Sequence, residues 1–135
     1  MDKDQLYQQL IDFFPQHPDL MMHLTAGARW QYQIFEGPLD VEKIKLEYFL
    51  VKKDDGTIEM MKGSSPEKPD LILYFTEAAI LRLVKGNPSA HDYFIQYHEI
   101  MDNSTPEVDL DNKVNKSKIR LFKMGYKKWQ SEFKF

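Results

Sequence analysis

The chain has 135 residues, 42% apolar and 29% charged, with a net charge of −3 at pH 7. That is the composition of one globular domain with a core, and its mild acidity argues against the clustered basic face of a nucleic-acid binder. The absence of Cys excludes a disulfide framework, a thiolate zinc site and a cysteine nucleophile. The opening Met1-Asp2-Lys3-Asp4-Gln5 lacks the apolar segment of a signal peptide, and no apolar run approaches the ~20 residues that span a bilayer. A single cytoplasmic domain over residues 1–135 is therefore expected.

Residues 3–14 predict an amphipathic helix in which Leu6, Leu10, Phe13 and Phe14 form one stripe, ended by Pro15. Pro18 opens a short turn with Leu20, Met21 and Leu24. From Ala28 the period changes to two. Ala28, Trp30, Tyr32 and Ile34 alternate with Arg29, Gln31 and Gln33, the pattern of a strand with one wet face. Residues 43–52 predict a second strand, Asp54-Asp55-Gly56 a hairpin turn, and 57–62 the returning strand. After a polar loop, 70–75 reads as a strand apolar on both faces and hence central. Thr76 is placed to cap a helix over 77–85 that ends at Gly86. Asn87 and Pro88 read as the cap and first residue of another helix carrying Ala90, Tyr93, Phe94, Tyr97 and Met101. Residues 102–117 read as a loop and 118–123 (Lys-Ile-Arg-Leu-Phe-Lys) as a fifth strand by alternation; Gly125 onward fits either a last helix with Tyr126, Trp129 and Phe133, the preferred reading, or a continued strand, since Trp129, Ser131 and Phe133 also keep a period of two.

No catalytic motif assembles. His91 and His98 are two helical turns apart, about 10 Å of rise, too far to share one metal; His17 and His23 stand elsewhere. Asp109-Leu110-Asp111-Asn112 begins like a calcium loop, but Val114 replaces the required Gly and Arg120 the closing Glu. No phosphate-binding Gly-rich loop or nucleophile elbow is present. The Lys127-Lys128 pair beside Met124, Tyr126, Trp129 and Phe133 is compatible with a helix at a membrane interface, although packing of those aromatics on the sheet is the favoured reading.

Residues 69–94 carry the sharpest pattern: Pro69-Asp70-Leu71-Ile72-Leu73-Tyr74-Phe75-Thr76, then Leu81-x-Leu83-Val84-Lys85-Gly86-Asn87-Pro88, then Ala90 and Tyr93-Phe94. This order resembles the sterol carrier protein 2 (SCP2) sterol-binding domain family, and more loosely so do residues 1–68 and 118–135. The resemblance implies an α+β fold, a five-stranded, mainly antiparallel sheet with helices packed on one face. It implies a non-enzymatic protein without cofactor or metal, which binds or transfers a lipid-like ligand (a sterol, fatty acid or acyl derivative) in an apolar tunnel between sheet and helices. Trp30, Tyr32, Leu83, Tyr93, Phe94, Tyr97, Met101, Trp129 and Phe133 are the candidate walls, although each, taken alone, reads first as plain core. Expected partners are the lipid itself and, transiently, a membrane, with no nucleic acid, in a monomer or homodimer. The alternative is an accessory or protein-interaction module that keeps the fold with a filled cavity.

Overall fold

The computed structural model describes residues 1–39 and 43–135. Helix α1 (Lys3–Ile11) leads through two short 3-10 turns into strand β1 (Arg29–Phe35), followed by β2 (Ile44–Lys52), β3 (Ile58–Lys62) and β4 (Leu71–Thr76). Helices α2 (Glu77–Val84) and α3 (Ala90–Asp102) come next, then β5 (Leu110–Val114), α4 (Lys118–Lys123) and α5 (Tyr126–Phe133). The strands form one five-stranded sheet in the order β3-β2-β1-β4-β5. β1 runs parallel to β4 and every other pairing is antiparallel, so the sheet is mixed but mainly antiparallel.

The register explains the core. Tyr32 stands opposite Tyr48 on one side and Leu73 on the other, while Trp30 faces Leu50 and Leu71. All six therefore project from the same face, the one the helices cover. The rings of Tyr32 and Tyr48 stack at 4.6 Å, and those of Tyr32 and Phe75 at 5.8 Å. Phe14, from the turn after α1, packs its ring against both tyrosines. The opposite face is less wet than the alternation of β1 implies. Gln31 is buried because its amide donates to the carbonyls of Tyr48 and Gly63, and its oxygen accepts from Ser65 N–H, so the loop after β3 folds over it.

Three local assignments differ from the sequence reading. The helix at the start is shorter than 3–14, because Phe14–Gln16 closes as a separate 3-10 turn around Pro15. Its N-terminus is instead fixed by a capping box between Asp2 and Gln5. The cap of α3 is Ser89, whose hydroxyl accepts from Asp92 N–H at 3.2 Å; Asn87 serves in the preceding turn at φ 53°. The fifth strand is β5, within the segment expected to be a loop, and 118–123 is helical. Ser117 drives the second change by capping α4 through Arg120 N–H. β5 escapes a pattern search because it is an edge strand in which only Leu110 is buried. Its pairing to β4 is made by backbone, which leaves the side chains free to be polar. The last helix lies where it is expected.

The entry to α5 is sterically exact in one place. Gly125 has φ 95°, and a Cβ there would lie 2.1 Å from the carbonyl oxygen of His23. The adjacent backbone is held by Thr25 N–H donating to Met124 O at 2.9 Å. Gly125→Ala is expected to lower stability by roughly 2–4 kcal/mol, from left-handed strain plus the displaced loop, as read from chemical denaturation midpoints.

Candidate functional site

Asp70 heads β4 with no solvent exposure. Its Oδ2 accepts the backbone N–H of Arg29 at 3.0 Å and the hydroxyl of Tyr126 at 2.7 Å. The Lys116 ammonium lies 2.6 Å from Oδ1, an ion contact outside aligned hydrogen-bond geometry. The Tyr126 hydroxyl in turn accepts from Trp30 Nε1 at 2.9 Å. Burial and the neighbouring carboxylate push the Tyr126 hydroxyl well above its ordinary pKa, so it remains a donor. One carboxylate thus joins β1, β4, the approach to α4, and α5.

Beside this network lies a pocket of about 550 Å³ between the covered face of the sheet and α3, α4 and α5. Trp30, Leu71 and Leu73 form its floor, with Asn112 and Val114 of β5 at one side. Phe94 and Tyr97 of α3 and Trp129 of α5 line the remainder, closed by Phe135. Trp129 meets Phe94 edge-on at 5.3 Å, meets Trp30 at 5.6 Å and stacks on Phe135 at 5.0 Å. Phe135 is turned back onto these rings by Lys134 in the left-handed region, at φ 62°.

Several polar groups of the wall are engaged by protein. Trp30 Nε1 is bound to Tyr126, Trp129 Nε1 donates to Leu20 O at 2.8 Å, and Asn112 donates to the Tyr97 hydroxyl at 3.2 Å. Burial pushes the Tyr97 hydroxyl up to about 12 despite that donor, so it is neutral at physiological pH. Beside the tyrosine hydroxyls, the interior offers ring faces and aliphatic edges. The charged lining groups, Lys118 and Lys127, are exposed and stand at the rim with Phe122 and Gln130.

Of the side chains singled out in the sequence, Trp30, Tyr32, Tyr93, Phe94, Tyr97 and Trp129 line this one pocket. Leu83 does not; it is buried in the main core on α2. Met101 is 39% exposed near the end of α3. Phe133 lies behind the wall, 4.4 Å from the Phe94 ring. Sequence reasoning missed Asn112 and Val114, which sit in the unrecognised edge strand, and Phe135. The Tyr126, Trp129, Phe133 stripe of α5 is buried on the protein, so this face of the helix is not available to a membrane.

The histidines make local contacts. His23 and His91 both approach Glu132 of α5, at 3.0 and 2.9 Å, and hold its carboxyl below the usual range. His17 Nε2 lies 2.6 Å from Asn87 Oδ1, and His98 donates to Phe133 O at 2.9 Å. Among the described residues no group of three or more His, Asp or Glu is arranged to hold a metal ion, and no helix is long and apolar enough to cross a membrane.

No family model and no curated protein matches the chain. Two solved structures are similar to it over most of its length. One is described as a UbiJ-SCP2 ubiquinone synthesis protein, at TM-score 0.48 and 10% identity, covering 93% of this chain and 90% of that one. The other is a solution structure of the sterol carrier protein domain 2 of Helicoverpa armigera, at TM-score 0.43 and 13% identity, covering 96% of this chain and 81% of that one. Both carry the family name that residues 69–94 suggest. At such scores the likeness carries no argument of its own, and the α+β architecture rests on the sheet order and register above.

Two outcomes follow from these contacts. Asp70→Asn, which weakens the bond from the Tyr126 hydroxyl and removes the ion contact with Lys116, should cost about 1.5–3 kcal/mol in denaturant unfolding and raise the exposure of Trp30 to quenchers. Because the Glu132 carboxyl is depressed in the folded state, its stabilisation is present above the ordinary value of 4.5 and is lost as pH falls through the lower folded value. Glu132→Gln should therefore melt below the parent near neutral pH, and the difference should close in acid.

Proposed function

We propose that the protein binds or transfers a lipid-like apolar ligand in the pocket between the sheet and helices α3 to α5, without catalysing a reaction on it, as a cytoplasmic carrier. The observation that carries this reading is the pocket's chemistry: about 550 Å³, walled largely by aromatic rings, with both indole N–H groups already bound to protein. A volume in the range of ~300–1,000 Å³ with few free polar groups suits an apolar body. The exposed Lys118 and Lys127 suit an anionic head left at the rim, which favours a fatty acyl carboxylate over a neutral sterol. The open volume is what weighs against the alternative, a module of this fold with its cavity filled.

The test is titration with a fluorescent fatty acyl probe, with mass spectrometry of lipid that co-purifies with the protein. Saturable binding at one site per chain is expected. Asn112→Trp, which adds bulk at an exposed edge-strand position of the wall, should weaken binding at least about tenfold, or 1.4 kcal/mol, with the fold retained by circular dichroism. Absence of saturable binding, or equal affinity in that variant, contradicts the proposal.

A further inference from the structure

The net charge conceals a strong segregation. Residues 112–131 contain seven Lys or Arg and no Asp or Glu, while the rest of the chain holds 11 basic against 21 acidic residues. At the centre of this basic segment lies α4, which buries none of its residues. Ile119 and Phe122, at i, i+3 spacing on one face, are 72% and 62% exposed, the most exposed large apolar side chains among the described residues. Lys118, Arg120, Lys123, Lys127 and Lys128 surround them, all exposed, and none makes an ion pair among the described residues. The Lys127 ammonium lies 5.9 Å from the centre of the Phe122 ring.

We infer that this surface docks the protein on an anionic lipid bilayer, with Ile119 and Phe122 entering the headgroup boundary and the ammonium groups meeting lipid phosphates and carboxylates. Each half of the pattern selects the occupant. Cations near an anionic leaflet are attracted individually, at about fivefold in affinity apiece, and apolar side chains gain further by leaving water for the acyl boundary. A nucleic-acid duplex, its bases stacked inside, would use the cations but give no return for the exposed Ile119 and Phe122. The surface also reaches the rim of the pocket, since Lys118, Phe122 and Lys127 belong to both, so docking turns the mouth toward the bilayer. The inference itself rests on exposure and charge, and is independent of what the pocket binds.

Sedimentation with phosphatidylcholine vesicles, with and without phosphatidylserine, tests it on the full chain. Binding should favour the phosphatidylserine vesicles at least about tenfold and fall steeply with added salt. Ile119→Asp, and separately Lys123→Glu with Lys128→Glu, should each reduce that binding about tenfold or more; none of these residues lines the pocket, so the acyl-probe titration should be unchanged. Vesicle binding that persists while the probe fails to bind would support docking and overturn the ligand reading alone. Equal binding to both vesicle types, variants that bind like the parent, or concentration-dependent self-association in place of vesicle binding would overturn docking.

Discussion

The structure depends on a carboxylate taken out of water. Asp70 has no exposure, and removing a charge from solvent is tolerable only when its partners are fixed in place. The partners here come from three distant parts of the chain: the backbone of Arg29, the Lys116 ammonium and the Tyr126 hydroxyl. Satisfying one side chain therefore sets the position of β1 against β4 and brings the C-terminal helices over the sheet. The further link from Tyr126 to Trp30 spaces α5 from the strand beneath it, and the pocket lies alongside that strut.

The same arrangement accounts for walls that are apolar although built from Tyr, Trp and Asn. A buried indole needs a partner, and both indoles of the wall find one in the protein. The space between them is bounded mainly by ring faces and aliphatic edges. Access falls to α4. It is six residues long, buries none of them, and is flanked by the capped turn at Ser117 and by Gly125. Helices with so few packed side chains belong to the least stable parts of a fold, where local opening is cheap.

Much of the fold was legible because burial was periodic. β1 and the β2–β3 hairpin betray themselves by alternation and a Gly-containing turn, and α2 and α3 by apolar stripes with caps close to hand. β5 was not legible, since an edge strand with one buried residue has no apolar rhythm, and Lys-Ile-Arg-Leu-Phe-Lys alternates in sequence while its cap makes it helical. Six of the nine candidate wall residues meet in one pocket, because aromatics on β1, α3 and α5 had to face the same interior. Leu83, Met101 and Phe133 fall outside it, as helical phase alone does not say which neighbour a side chain meets. The role of Asp70 was hidden more deeply. It stood as a lone acid before an apolar strand, and its partners lie 41, 46 and 56 positions away. The basic surface of α4 was diluted in an overall charge of −3.

The most direct measurement is an experimental structure of the protein grown with a saturating long-chain fatty acid. One acyl chain is expected between Trp30, Leu73, Phe94 and Trp129, with its carboxylate at the rim near Lys118 and Lys127 and the Asp70–Tyr126 bond intact. A pocket filled by its own rings, or an acyl chain bound elsewhere on the molecule, would contradict it.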